Sequence, residues 1–430
     1  MIDLKDAKQV KKLTERDKQH LWHPLTQHKT AADPLPIVRA KGALLWDEEG
    51  KEYIDGIASW YTTMYGHGNT HITSAITNQM QELDFVMFSG FTHKPAIELS
   101  EKLMQVLPNN QAKIFFNDNG STAVEAAIKM ALQYYHNKEE KRDTLIAFED
   151  GFHGDTFGAM SASGLSSYNG PFEDFLLKVV RIPVPQEDTI EEVLLILDKV
   201  IKENNCAAFV FEPLVQGAAG MKFHSATGLD ILIHKCQEHQ ILCIADEIMT
   251  GFGKTGKNFA CDYLKSKPDI MCLSKALTAG MFPLSITSCS QVVFDAFLSD
   301  KVSKGFFHAH TFSAHPLCCA TAIAGLELLS SEEIVERRNY ITESHKNFVL
   351  QIKEHPKVKN VRTIGVILAI DLDVTTDRYG KSRDQMYQFF MSRGINLRPL
   401  GNTIYTLPPY VITNTQLQKI YTVILEFLEA

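Results

Sequence analysis

Six short runs of strand-forming residues, separated by longer segments with helical spacing, fill the middle of this chain and restrict its architecture. They are KIFFND (113–118), TLIAFE (144–149), AAFVFEPLV (207–215), ILCIADE (241–247), DIMCLS (269–274) and LSITSC (284–289). This alternation is the pattern of a parallel α/β sheet. The clearest helical segment, 122–135, puts Val124, Ile128, Ala131 and Tyr135 on one face, and Thr122 with Glu125 reads as a T-x-x-E capping box. Beyond about residue 325 the pattern changes. Helical stretches at 320–329 and 332–354 lead to TIGVILAIDL, a helix at 382–392, extended INLRPL and TIYTLPPY, and a closing helix from 415. This mixture predicts a smaller α+β domain over 326–430, after a large α/β domain over 56–325. Residues 1–55 are expected to form a helix and a short hairpin (ALLWDEEGKEYID) that pack with the small domain.

Charge and cysteine usage narrow the function classes. Lys plus Arg number 43 against 51 Asp plus Glu, a net charge of −8, which opposes a nucleic-acid footprint. The start, MIDLKDAKQVKKLTERDKQH, is charged throughout and lacks the apolar core of a secretory signal. No apolar run is long enough to cross a membrane. The eight cysteines are scattered without a CxxC pair, several inside apolar strands, as expected of reduced, buried thiols. A cytoplasmic protein is expected.

Three stretches carry chemistry. In NDNGSTAVEAAIKMALQYY (117–135) a strand ends, Gly120 and Ser121 turn the chain, and a helix begins. Free amides at such a terminus suit an anion, although a plain N-cap would look the same. In ILCIADEIMTGFGKTG (241–256) Asp246 and Glu247 end an apolar strand, where a parallel sheet presents ligand-facing groups. The G-x-G-x-x-G at Gly251, Gly253 and Gly256 is not a dinucleotide fingerprint, because Asp-Glu-Ile-Met-Thr stands between the apolar residues of the strand and the first glycine, and no helical pattern follows. It is not a Walker A loop either, since Ile248 stands where that pattern needs glycine. In DIMCLSKALTAGMFPLS (269–285) Lys275 follows a strand among small and apolar residues. It is either a snorkelling lysine or an amine desolvated enough for covalent chemistry with a carbonyl.

Strand-end aspartate, strand-end lysine and a Gly-Ser helix start together meet the needs of pyridoxal phosphate. With LWHPLTQ (21–27), GIASWYTTMYGHGN (56–69), VMFSGFTHKPAIEL (86–99), GFHGDTFGAMS (151–161), VQGAAGM (215–221), DEIMTGFGKTGKNFAC (246–261) and LRPLGNTIYTLPPY (397–410), the chain resembles the class III pyridoxal-phosphate aminotransferases of fold type I over nearly its whole length. It is most similar to the branch that passes the amino group of S-adenosylmethionine to 8-amino-7-oxononanoate in biotin biosynthesis. The resemblance implies a large domain built on a mostly parallel seven-stranded sheet plus a smaller α+β domain. It also implies a homodimer with active sites at the subunit interface.

Carried over by position, Lys275 would bond to the cofactor's carbonyl carbon and Asp246 would partner its ring nitrogen. Gly120 and Ser121 would bind its phosphate, Phe152 would stack on its ring, and Thr311 would reach the phosphate bound to the neighbouring subunit. Trp60 and Tyr61 would form the aromatic wall of the substrate pocket, with Asp155 near the substrate amine and Arg398 receiving the keto-acid carboxylate. Each has a plainer alternative: a core aromatic for Trp60, a surface ion pair for Arg398, a turn cap for Asp155. His67 and His153 are expected to be structural, and Glu212 is left outside the catalytic set. Two departures, Leu25 for a tyrosine and Lys254 for an arginine, fall where the family contacts substrate. They leave lysine open as the amino donor, and another class III ω-aminotransferase activity, on ornithine or 4-aminobutyrate, as an alternative.

Overall fold

The computed structural model describes residues 12–166, 169–374 and 380–430. Residues 1–11 of the charged start lie outside the described residues. Strands β1 (Ile37–Lys41), β2 (Leu44–Asp47) and β3 (Glu52–Asp55) form an antiparallel meander. Next in the chain come β4 (Gln111–Asn117), β5 (Thr144–Phe148), β6 (Val179–Ile182) and β7 (Cys206–Phe211). A small ribbon, β8 (Val215–Gln216) with β9 (Lys222–Phe223), precedes β10 (Leu242–Asp246), β11 (Ile270–Leu273) and β12 (Ser285–Ser290).

The central sheet has seven strands in the order β4-β12-β11-β10-β7-β5-β6. Only β12 runs against its neighbours, pairing antiparallel with both β11 and β4. The sheet is therefore mostly parallel, and the chain is an α/β protein of fold type I. Six of its strands coincide with the six apolar runs. The seventh, β6, is only four residues long (VVRI) and half-buried at the sheet edge, so it carries little hydrophobic signal. The run AAFVFEPLV stops pairing at Phe211, because Pro213 lacks an amide for the ladder and Leu214 turns to φ +64°.

The sheet is covered by helices, foremost Gly120–Asn137, which buries Val124, Ile128, Ala131 and Tyr135 as its spacing requires. Its start differs from the sequence expectation. Asn119 is the N-cap, accepting from the Thr122 amide, while the Thr122 hydroxyl accepts from the Asn119 amide. Thr122 is therefore one turn inside the helix. Glu125 is freed for other work: its carboxylate accepts from the Thr156 hydroxyl at 2.6 Å and from the amides of Gly158 and Ala159. That fastens the 151–161 segment to the helix. All eight cysteines are free and buried.

In the C-terminal part, β13 (Val358–Ile364), β14 (Ile367–Leu372) and β16 (Thr403–Thr406) form a three-stranded antiparallel sheet, with the helices Glu332–Ile352, Lys381–Ser392 and Asn414–Glu429 beside it. The stretch TIGVILAIDL contains the corner of a hairpin, not one strand. Between β14 and β16, strand β15 (Ile395–Asn396) leaves that sheet and pairs parallel with β3, so the N-terminal meander is completed by the C-terminal part.

The β13–β14 corner docks on the 254–256 segment. Gly365 turns at φ +55°, and the Val366 amide donates to the Lys254 carbonyl at 2.9 Å. A Cβ on Gly365 would lie 2.3 Å from the Gly256 nitrogen and 2.4 Å from the Lys254 oxygen, all backbone atoms that cannot swing aside. Gly365→Ala should therefore destabilise the protein by roughly 3 kcal/mol. Denaturant unfolding of the purified variant checks this; a loss within experimental error would show that the corner can shift.

Candidate active site

The carboxyl edge of the central sheet gathers the chemistry. β10 and β11 are parallel neighbours in register, with Asp246 opposite Cys272, so Asp246 and the segment that begins at Lys275 emerge side by side. A helix N-terminus adjoins them, because β4 runs parallel to β10 and β11 and delivers Gly120 to the same edge. The first helical turn leaves the Gly120 and Ser121 amides without intrahelical acceptors. A Cβ on Gly120 would come within 3.1 Å of Ile248, and one on Gly154 (φ +130°) would lie 2.2 Å from Ser121 Oγ. The loop from 151 thus closes tightly over this helix start, with the Asp155 amide donating to Ser121 Oγ at 3.2 Å. A glycine-walled turn over free amides suits a phosphate.

Asp246 is buried. Its Oδ2 lies 2.8 Å from His153 Nδ1 and its Oδ1 accepts from the Ile248 amide at 3.1 Å. Burial works against the His153 cation, yet the Asp246 hydrogen bond and charge, with Glu212 beyond, hold its pKa above the ordinary histidine value. His153 Nε2 is buried with no hydrogen-bond partner among the described residues. Glu212 accepts from the amides of Phe152 and Gly217, and burial raises its carboxyl to about 7. Burial lowers the Lys275 amine below the usual lysine range, opposed by Asp246 and Glu212. Lys275 also sits at φ +49°, a left-handed conformation costly for a side-chain-bearing residue.

The opposite wall comes from a strained turn. Ala58, Ser59, Trp60 and Tyr61 all have φ between +45° and +71°. Each such residue costs about 1–2 kcal/mol. Asp55 and Tyr405 offset part of that cost: Ser59 Oγ donates to Asp55 at 2.7 Å, and the Tyr61 hydroxyl donates to Tyr405 at 2.8 Å. The turn places the Tyr61 ring 5.3 Å from Lys275 Nζ and the Trp60 ring 4.8 Å from the Arg398 guanidinium. Arg398 makes no ion pair among the described residues, so the surface-pair alternative is not what the structure contains. Trp60 is 43% exposed, so it is not a core aromatic. Phe152 is 42% exposed, leaving its ring open to a ligand.

The structure therefore brings together Asp246, Lys275, Trp60, Tyr61 and Arg398, and beside them Gly120, Ser121, Phe152 and Asp155. Thr311 lies exposed, one residue after His310, whose Nδ1 is 3.6 Å from Asp118 Oδ2. Lys254 differs from the expectation of a substrate-end cation. It is fully buried, its ammonium donates to the Gly251 carbonyl at 2.9 Å, and burial and the Lys275 charge bring its pKa to about 7. Leu25 is exposed at φ +52°. His67 pairs with Asp55 at 3.1 Å beneath the strained turn, a structural role. Sequence reasoning placed His153 among structural histidines, but it is the partner of Asp246. Its position next to Phe152 was the available signal, since one loop supplies both. The 251–256 glycines form turns, and a short 3-10 segment, Ala260–Tyr263, follows in place of a phosphate-binding helix.

The match to known proteins agrees with this site. The aminotransferase class-III family model covers residues 26–428, and the chain belongs to that family: it is an aminotransferase, and its cofactor is pyridoxal phosphate. More narrowly, it is similar to the adenosylmethionine-8-amino-7-oxononanoate aminotransferase of Synechococcus elongatus, 44% identical over 95% of this chain and 98% of the relative. The enzyme of the same name from Geobacter sulfurreducens is 37% identical over 93% and 94%. Among solved structures, that named enzyme from Methanocaldococcus jannaschii superposes with a TM-score of 0.90 at 32% identity, covering 97% of this chain and 98% of that one. An omega transaminase from Pseudomonas jessenii in complex with PMP gives 0.90 at 26% identity over 97% and 98%.

The His153–Asp246 pair should be visible in the pH dependence of stability. A histidine whose folded pKa is raised stabilises the fold fully below its unfolded value of about 6.5, and that stabilisation disappears as pH rises through the folded pKa. The stability lost in His153→Gln should thus be largest in mildly acidic solution and shrink toward alkaline pH. Denaturant melts of the cofactor-free chain across that range test it; a pH-independent difference would contradict it.

Proposed function

We propose that this chain is a homodimeric cytoplasmic aminotransferase that moves the amino group of S-adenosylmethionine to 8-amino-7-oxononanoate in biotin biosynthesis, by a ping-pong cycle. The observation that carries the reading is an arginine with no carboxylate partner among the described residues, Arg398, held over Trp60 on the strained turn whose next residue, Tyr61, lies against Lys275. A carboxylate-bearing keto acid gripped by Arg398 would have its other end directed toward the reacting amine. The names of the relatives supply the substrate pair.

The residues fit the cofactor. Gly120 and Ser121 would bind its phosphate, Phe152 would face its ring, Asp246 would hold its ring nitrogen protonated, and Lys275 would bond to its carbonyl carbon. When bound, the cofactor supplies an electron sink for the carbon that loses a proton. Lys275 Nζ is the base that would take that proton, and burial, which lowers its pKa below the usual lysine range, favours the neutral amine that this role needs. His153 acts through Asp246: its proton lies on the carboxylate and fixes which oxygen faces the ring nitrogen. Trp60 and Tyr61 exclude water from the reacting end, and Asp155 stands near the substrate amine.

The domain reading is residues 1–55 with the small domain 326–430, and 56–325 as the large domain. The β3–β15 pairing supports it. The homodimer is supported by apolar side chains left in solvent, with Val302 at 76% and Phe307 at 74% exposure in the segment leading to Thr311, and Phe91 and Phe312 also exposed. No helix among the described residues is long and apolar enough to cross a membrane.

Two measurements test the proposal. Enzyme loaded with pyridoxal phosphate, mixed with S-adenosylmethionine alone, should lose the long-wavelength absorbance of the bound cofactor, and lysine should leave it unchanged. A response to lysine alone would replace the donor, and a response to neither would end the substrate reading. Arg398→Ala should raise the KM for the keto acid at least about tenfold while leaving the donor half-reaction nearly unchanged. Equal damage to both halves would remove Arg398 from the carboxylate role.

A further inference from the structure

The segment 306–311, FFHAHT, contains a chain of two hydrogen bonds and one ion-pair contact that the reaction does not account for. Lys129 Nζ lies 2.8 Å from His308 Nδ1, His308 Nε2 lies 3.2 Å from His310 Nε2, and His310 Nδ1 lies 3.6 Å from Asp118 Oδ2. An ammonium can only donate, so His308 Nδ1 must carry the lone pair and His308 Nε2 the proton. That proton points at His310 Nε2, which must in turn be bare, leaving the His310 proton on Nδ1 facing the Asp118 carboxylate. The polarity is fixed from end to end with both imidazoles neutral.

Both anchors belong to the helix that carries the candidate phosphate site or to the residues leading into it. Asp118 immediately precedes Asn119, the N-cap of the helix that begins Gly120-Ser121, and Lys129 lies on that helix. Phe306 and Phe115 flank the His308 ring at 5.6 and 5.9 Å. Glu125, clamped by the 156–159 segment, is the other charged group felt by His308. The chain ends one residue before Thr311.

We propose that His308 and His310 are positioning residues that lock the 306–311 segment to the helix start, setting Thr311 toward the cofactor phosphate of a second copy, and that protonation of either imidazole opens the lock. This rests on the reading of Thr311 as a phosphate contact across the dimer. A proton on His308 Nδ1 would face the Lys129 ammonium, and one on His310 Nε2 would face the His308 N–H. Burial, the Lys129 charge and His310 hold the His308 pKa below the ordinary value, so the lock stays closed at neutral pH and opens on acidification.

The test is the apparent affinity of the full-length enzyme, stripped of cofactor, for pyridoxal phosphate, at about pH 7.5 and about pH 5.5. Dimeric assembly is checked for every variant by size-exclusion chromatography. At the higher pH, Thr311→Ala and Lys129→Met should each weaken binding about fivefold, the scale of one hydrogen bond. Lys129→Arg, which can still donate to His308, should restore affinity to within about twofold of the unaltered enzyme. The double variant T311A/K129M should be no weaker than T311A alone, because the lock acts only through Thr311. Acidification should weaken the unaltered enzyme more than K129M.

An unchanged affinity in T311A would overturn the phosphate reading and the lock with it. Weakening in T311A combined with no effect of K129M, with no rescue by arginine, with losses that multiply in the double variant, or with equal acid sensitivity would overturn the lock and leave the phosphate reading standing. Lys129 is exposed, so its replacement leaves the core untouched; if K129M nonetheless fails to assemble, His308→Gln is read against the same expectations.

Discussion

The buried carboxylate of Asp246 is the group around which the rest of the site is arranged. A carboxylate taken out of water is costly unless it is paired and hydrogen-bonded, and here the protein supplies the His153 ring and the Ile248 amide. Placing His153 there requires the 151–161 loop to fold back across the sheet edge. That is possible only because Gly154 passes so close to Ser121 that no side chain fits, and because Glu125 ties down the far side of the loop. One loop therefore closes the helix start, exposes the Phe152 ring and neutralises the acid.

The second constraint is conformational. Four consecutive residues, 58–61, adopt a left-handed backbone, and Lys275 does so as well. Such strain persists where the surroundings over-determine it. The turn is fixed from below by Asp55 and His67, from the C-terminal three-stranded sheet by Tyr405, and by Gly280, where a Cβ would strike Thr63. The amine and the arginine consequently face one aromatic wall. That wall is thus lined by groups that belong to different parts of the chain.

Much of this was legible beforehand, for physical reasons. Strands buried on both faces are largely apolar, so β5, β7, β10 and β11 declared themselves; the edge strand β4 was legible from its apolar run at 114–116, and the short edge strand β6, half in solvent, was not. Asp246 and Lys275 could be paired because neighbouring parallel strands deliver their ends to one edge. The helix cap was misplaced by three residues, since Asn119 and Thr122 can both cap and only the course of the preceding strand selects between them. In the sequence Lys254 reads only as a cation standing where the family has an arginine at the substrate end; its burial was not legible, because the β13–β14 corner that closes over its loop is distant in sequence.

The sequence by itself determined the layer architecture, the family and the residue types at the sheet edge, because periodicity, strand-end acids and glycine turns are local properties of the chain. Only the tertiary structure decided that His153 serves Asp246, that Arg398 stands over Trp60, and that β15 leaves its neighbours to complete the N-terminal meander. Those outcomes depend on which distant segment arrives at a given surface. Burial and pairing between segments set them, and no local pattern encodes either.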